Sequence, residues 1–279
     1  MFSLHSIYIL GTHKLSLDYG QKLIRAKKEG LIDFKSLFFV DDKPNSLAEK
    51  KHPNQIIKKS YSQFIVDILN QGFDPLRSLA SGTRLAGSKP STLGGESSKA
   101  CPWVYTVDEN DILIPDHTAP HVFFKVFLEL LEKEGFKTEI IPYNQSLNTP
   151  YQKNFDSGIV ATSFATWICP LDCDEPTICP HTQAPRTWDF REHFKKVLRP
   201  FNPSTPLRAH SAQGPTTTIH TFFCTALVYG VAYIPLKNIA EEWRKLKKSF
   251  GRGNLAPTKF IVATHSKCHG IVGMGKIVG

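Results

Sequence analysis

Residues 6–42 read SIYILGTHKLSLDYGQKLIRAKKEGLIDFKSLFFVDD, and the order of patterns within them sets the fold class. An apolar run over 6–11 gives way to helical periodicity over 15–30 and then to a second apolar run over 36–42. Strand, helix, strand in that order is the βαβ unit, in which the two strands lie parallel in one sheet. Gly30 stands where a helix C-cap is expected, and Asp41 with Asp42 closes the second strand. The rhythm returns in a helical pattern over 61–73, with Ile65, Ile68 and Leu69 on one side. A short strand over 111–117, a helix over 119–135 and a strand over 137–143 follow. The expectation is an α/β protein with a mostly parallel N-terminal sheet.

Working outward, residues 77–99, RSLASGTRLAGSKPSTLGGESSK, are rich in Gly, Ser and Thr, and leucine is their only large apolar residue. They are expected to be a disordered or loop insertion. Polar and turn residues replace the periodicity over 142–158. The predicted division is a domain over 1–145 and a smaller α+β, cysteine-containing domain over 155–279. In the second half the sequence predicts a strand over 158–168, a helix over 189–198 and a buried apolar helix over 221–236. An amphipathic helix over 236–250 and a closing strand over 258–278 complete it. A length of 279 residues is enough for two cores of ordinary size.

With 34 Lys and Arg against 25 Asp and Glu, the net charge of +9 favours acidic partners such as nucleotides, nucleic acid or anionic lipid, and an unidentified redox or acidic partner is expected. The basic groups Arg25, Lys27 and Lys28, Lys195 and Lys196, and Arg244, Lys245, Lys247 and Lys248 sit in amphipathic patterns, so solvated helix faces account for them first. The start MFSLHSIYILGTHK lacks the basic region and cleavage site of a signal peptide, and the apolar segment 221–236 is shorter than the ~20 residues that span a bilayer. No membrane span and a cytoplasmic location are therefore expected, a setting in which grouped cysteines mean metal or redox chemistry more often than disulfides.

Three of the six cysteines, Cys169, Cys173 and Cys179, fall within the stretch WICPLDCDEPTICPHTQAPRTW. Thiolates crowded in this way repel one another unless they share a cation or a redox bond. Cys268, between His265 and His269, supplies a fourth sulfur, and His181, His265 or His269 could replace one thiolate. Four cysteines suit either a 4Fe-4S cluster or tetrahedral zinc. The first gap of three residues fits zinc, whereas the second gap of five is more irregular and suits a cluster. The segment HSKCH has a histidine where haem attachment needs a cysteine, which counts against haem. Cys101 and Cys224 receive no role.

Two further constellations are candidates. Gly11 begins the turn after the first strand, where dinucleotide-binding folds seat a pyrophosphate on a helix N-terminus, and Asp41 stands where an acidic residue meets a ribose. His13 and Ser16 occupy the positions of the second and third glycines of G-x-G-x-x-G, so a nucleotide is doubtful. Asp116, His117 and His121, in IPDHTAPH, lie at a strand end and a helix start, where they could bind a ligand or serve as acid and base; a cap role for Asp116 or Thr118 competes. A G-x-S-x-G elbow, a G-x-x-x-x-G-K-S/T loop and an H-E-x-x-H helix are all missing from the sequence.

WICPLDCDEPTICPHTQAPR together with THSKCHGIVGMGKI resembles a group of uncharacterised bacterial proteins with a C-P-x-x-C-x-E-P loop and a late C-H-G. The resemblance implies a Rossmann-like first domain, similar to the nucleotide-binding domains of potassium-channel regulators. It points to Cys169, Cys173, Cys179, Cys268 and His121 as positions matching the group's pattern. The chain departs from the group at GTHKLSLDYG, where the group has a glycine-rich loop. No activity follows from the likeness.

The leading expectation is a metal-binding protein with a cysteine-ligated iron-sulfur cluster for electron transfer or redox sensing, its flanks Trp167 and Trp188 excluding water. One alternative is a zinc-stapled regulator that binds nucleotide or nucleic acid without catalysis. The other is a metal-dependent enzyme using Asp116, His117 and His121. Whether the protein is an enzyme is left open.

Overall fold

The computed structural model describes residues 2–43, 46–70, 108–115, 122–155, 158–166, 173, 175–198, 217–250 and 259–278. The insertion expected at 77–99, Cys101, Asp116, His117, His121, Trp167 and Cys169 lie outside the described residues. The fold is mixed α/β, built on two sheets that each contain parallel and antiparallel pairs.

The opening βαβ unit is present as β1 (Phe2–Leu10), α1 (Lys14–Lys28) and β2 (Ile32–Val40), with β1 and β2 parallel. Helix α1 starts at His13, whose side chain accepts the Ser16 N–H. It ends where Gly30 takes a φ of 72° and Leu31 N–H reaches the Ala26 carbonyl, a glycine-terminated C-cap. Leu17, Leu23 and Ala26 bury one face of α1 against this sheet. After α2 (Leu47–Lys51), β3 (Ile56–Ile57) adds in parallel beside β2, α3 (Tyr61–Asn70) follows, and β4 (Ile112–Ile114) adds in parallel beside β1.

Helix α4 (Val122–Lys133) leads to β5 (Thr138–Ile141), β6 (Tyr151–Asn154), β7 (Ile159–Ser163), α5 (Phe190–Val197) and β8 (Thr217–Phe223). β9 (Thr225–Val228), β10 (Val231–Pro235), α6 (Leu236–Phe250), β11 (Lys259–His265) and β12 (His269–Ile277) close the chain. The first sheet runs β3-β2-β1-β4-β10-β9 and the second β6-β7-β12-β11-β8, with β5 also paired to β12. β10 joins β4 antiparallel, so both sheets draw on both sides of the polar stretch 142–158. That stretch itself supplies β6, and its Tyr143 and Leu147 are buried.

Helix α4 lies between the sheets. Val122, Phe123, Phe124, Val126, Phe127, Leu130 and Leu131 are all buried, in one cluster with Tyr8, Leu10 and Leu113 of the first sheet and Phe222, Phe260 and Val262 of the second. A helix that is apolar around most of its circumference must be covered on most sides, and each buried side chain of this kind contributes about 1.5–3 kcal/mol of transfer free energy. α1 covers the outer face of the first sheet, and α5, through Phe190 and Phe194, covers that of the second.

Two expectations are corrected. Residues 221–236 are not a helix but the end of β8 followed by the β9–β10 hairpin. Tyr229 and Gly230 both have positive φ, 51° and 75°, and Val228 pairs with Val231 across them. A two-residue turn of this kind matches strand twist, and the apolar run around it satisfies either period until the turn is recognised. The single closing strand is likewise two, with β11 antiparallel to β12 and Ser266, Lys267 and Cys268 in the turn.

Glycines on β12 let side chains of other elements meet the sheet. A Cβ at Gly273 would stand 2.7 Å from the Phe124 ring of α4, and one at Gly275 would overlap Phe260. Gly273→Ala is expected to destabilise the protein by about 1–3 kcal/mol, the usual cost of overpacking. The fall in the urea midpoint is the measurement that checks it.

Candidate metal centre

The cysteine loop folds back on itself before it meets the rest of the protein. Arg186 N–H donates to the Thr177 carbonyl at 2.9 Å, Cys179 N–H to the Ala184 carbonyl at 2.9 Å, and Ile178 bridges Pro185. Gln183, with φ of 52°, closes the turn. Inside it the Cys179 thiol receives the Thr182 N–H and hydroxyl and the His181 N–H. Together with the nearby Arg186 charge, these donors lower its pKa against the opposing effect of burial.

Arg186 leaves this small hairpin and reaches two sulfurs at once. Its Nη1 donates to Cys268 Sγ and its Nη2 lies 3.5 Å from Cys173 Sγ. Trp188 Nε1 donates to the same Cys268 sulfur at 3.3 Å. Cys268 is 2% exposed and packs with Ala165, Cys173 and Trp188. The Arg186 pKa is raised: burial opposes its charge, and the Cys173 hydrogen bond together with the charges of Cys268, Cys173 and Glu175 outweighs that. Two sulfurs separated by 95 positions in sequence therefore face one half-buried cation.

The turn bearing Cys268 is held from several directions. Its carbonyl accepts the Phe164 N–H at 2.9 Å, Lys267 carbonyl accepts the Phe190 N–H at 3.2 Å, and Ser266 N–H closes the hairpin onto the His269 carbonyl at 2.9 Å. From the cysteine loop, Glu175 accepts the Ser266 hydroxyl, the Lys267 N–H at 3.2 Å and the Cys268 N–H at 3.1 Å. His269 Nδ1 lies 3.4 Å from Ser266 Oγ, and burial lowers the His269 pKa although the Glu175 charge opposes this.

Of the four predicted sulfur ligands, Cys173 and Cys268 come together, Cys179 stands within electrostatic reach of Arg186, and Cys169 lies outside the described residues. Among the described residues no three His, Cys, Asp or Glu side chains are grouped closely enough to hold one ion. Sequence reasoning missed Arg186 and Glu175. Both lie in the quoted loop, and their charges beside the cysteines were the available signal. Cys224 follows β8, where its N–H donates to the His265 carbonyl at 2.7 Å, and burial, with Glu175 adding, pushes its thiol up to about 12. Such a thiol is a poor metal ligand.

The first-sheet candidates sit apart from this centre in chemistry. Gly11 has φ of 98° and hydrogen-bonds through its N–H to the Val40 carbonyl, and Asp41 is buried at the end of β2. The Thr12 hydroxyl donates to one Asp41 oxygen and the Lys43 N–H to the other at 3.1 Å. His13 caps α1, at the helix end where a phosphate would otherwise lie. These groups satisfy one another locally.

A family described as "Uncharacterized protein, C-terminal domain" matches residues 121–278, which carry both halves of this sulfur site. The chain belongs to this family. The family domain begins with α4 and takes in β5 to β12, so it covers the whole second sheet and the hairpin that completes the first. No curated protein and no solved structure matches the chain. Among the described residues no helix is long and apolar enough to cross a membrane.

His265, at the end of β11 and beside the Cys268 turn, is 2% exposed among Phe190, Phe194 and Phe223, and its Nδ1 lies 3.0 Å from the Ser266 carbonyl. Burial lowers its pKa from 6.5 to about 4, outweighing the hydrogen bond to Ser266. The unfolded chain therefore binds this proton more readily than the folded one. Stability from this group is complete above about pH 6.5 and is lost as pH falls from there through about 4, to a total of about 3 kcal/mol. Denaturation of wild type and His265→Phe across that range checks this: the slope is expected to be shallower in the variant.

Proposed function

We propose that the family domain holds a thiolate-ligated metal centre, an iron-sulfur cluster, for electron transfer or redox sensing. The observation that carries this reading is the meeting of Cys173 and Cys268 on the Arg186 guanidinium. Soft sulfur donors suit iron-sulfur clusters and zinc, and Cys169 and Cys179 lie in the same loop to complete a set of four. The surroundings suit a thiolate better than a thiol. Arg186 and Trp188 aim N–H donors at Cys268, the Cys179 turn aims three more at its own sulfur, and Arg186 Nε is buried without a partner among the described residues. Hydrogen bonds to sulfur and exclusion of solvent are also the means by which a protein sets a cluster's reduction potential.

When bound, the cluster supplies one-electron redox chemistry. Trp188 and Ala165 shield the Cys268 sulfur from water, Arg186 offsets the charge of two thiolates, and Cys224 remains a protonated thiol outside the set. The parallel order β3-β2-β1-β4 supports a Rossmann-like reading of the first sheet, with the hairpin β9–β10 added at its edge. The occupied turn at Gly11 and Asp41 favours a supporting role for that sheet over nucleotide binding.

Metal analysis of anaerobically purified protein tests the reading. About four irons per chain, with visible absorption that bleaches on reduction, are expected. Cys173→Ser and Cys268→Ser are each expected to lose most of the metal and to lower thermal stability, while Cys224→Ser keeps its iron. An iron-free preparation with stoichiometric zinc would replace the cluster by a structural zinc staple, and a metal-free preparation would end the proposal.

A further inference from the structure

We propose that Glu175 is a positioning residue that latches the cysteine loop onto the β11–β12 turn and so places Cys268 beside Cys173. The inference rests on the metal reading above and assigns a task to a residue outside the sulfur set. Residues 173–186 and residues 266–268 are remote in sequence, and a site that uses both needs a rigid connection between them. Glu175 supplies a backbone-directed one. Its Oε1 accepts the Ser266 hydroxyl and the Cys268 N–H at 3.1 Å, and its Oε2 accepts the Lys267 N–H at 3.2 Å. Three donors from three successive residues converge on one carboxylate, and a carboxylate accepting N–H groups forms the stronger, charge-assisted kind of hydrogen bond.

Two features distinguish this from a general surface contact. Glu175 has φ of 52°, a left-handed conformation uncommon for a residue with a side chain, and such conformations persist where surrounding contacts impose them. Both of its oxygens are engaged by the turn, so Glu175 acts on the centre through the position of Cys268 and not as a ligand. The latch also fixes the backbone N–H of Cys268 itself, whose sulfur meets Arg186 and Trp188 on the other side of the residue. Outer-shell groups of this type are worth about 10–100-fold in metal affinity.

The test uses the full chain, stripped of metal and titrated with Co2+, whose thiolate charge-transfer absorption per bound ion counts coordinating sulfurs. Glu175→Ala is expected to weaken cobalt binding by about 10–100-fold. The charge-transfer intensity per bound cobalt should fall by about one quarter, one thiolate of four. Glu175→Gln retains one acceptor oxygen and is expected to fall between Glu175→Ala and wild type. In parallel, amide hydrogen exchange at Lys267 and Cys268 is expected to quicken by roughly tenfold or more in Glu175→Ala, as two hydrogen bonds are lost. Variants that bind less cobalt at unchanged intensity per ion, or that exchange these amides at the wild-type rate, would overturn the latch. If wild-type protein takes up no cobalt through sulfur, the mononuclear thiolate site fails by itself, and the iron content of the anaerobic preparation decides the cluster. Amide exchange then decides the latch separately: quickened exchange upholds the placement of Cys268 by Glu175, and unchanged exchange removes it.

Discussion

Helix α4 imposes the arrangement of everything around it. A surface helix hides one stripe and shows the other to water, but the phenylalanines, valines and leucines of α4 occupy most of its circumference and leave only a narrow stripe through Lys125, Glu129, Glu132 and Lys133. Such a helix is stable only when covered from several directions, and the chain covers it with two sheets and with helix α3. Phe127 meets Phe222 at 5.6 Å and Trp243 of α6 at 5.8 Å between ring centres, so strand β8 and helix α6 are drawn to the same layer. Close approach on the other side depends on β12 carrying glycine where Phe124 presses against it. Once α4 is fixed, the two strands after it in space, β11 and β12, have little freedom left, and the turn between them is delivered to one place on the sheet's rim.

That delivery matters because the turn carries Cys268. A sulfur in a hairpin turn would ordinarily be mobile and wet; here the turn is tied down through Phe164, Phe190 and Glu175, and its sulfur is covered by Trp188. The electrostatics follow from the same geometry. Burying a guanidinium is unfavourable unless negative or strongly polar groups surround it, and Arg186 finds two sulfurs and lies near the Glu175 carboxylate. Burying the Glu175 carboxylate is likewise offset by three donors from the turn. The Glu175 charge also favours the charged form of Arg186, so the two partly buried groups support one another.

Much of the architecture was legible in the local pattern. The order β1, α1, β2 and the helices α1, α3, α4, α5 and α6 announce themselves by periodicity and by caps such as Gly30, because these signals need only a few neighbouring residues. The misread segments are those in which a single turn changes the meaning of an apolar run. Tyr229 with Gly230 looks like an interruption in a helix until both residues are seen at positive φ. Ser266 to Cys268 is a short polar break that reverses the chain. In the sulfur site, crowding of cysteines drew attention to the right loop, but Arg186 and Glu175 could be assigned only from the fold. Their partners lie 82 and 93 residues away, and no spacing rule spans such a distance.

The contrast between the two sequence-flagged regions argues for where chemistry belongs in this molecule. At the first turn, Gly11 keeps the conformational freedom that a phosphate-binding loop would use, yet Thr12, His13, Ser16 and Asp41 hydrogen-bond among themselves and close the helix end. At the sulfur site the balance is opposite: a buried Nε has no partner among the described residues, and the groups facing the Arg186 and Trp188 donors are sulfurs, weak acceptors until they carry charge. Donors of this kind favour a sulfur in its charged form, and charged sulfurs are the donors that soft metals take, which is the physical basis of the metal reading proposed above. The meeting of two sulfurs from remote parts of the family domain on one guanidinium is the physical reason to seek the function of this chain at Cys173 and Cys268.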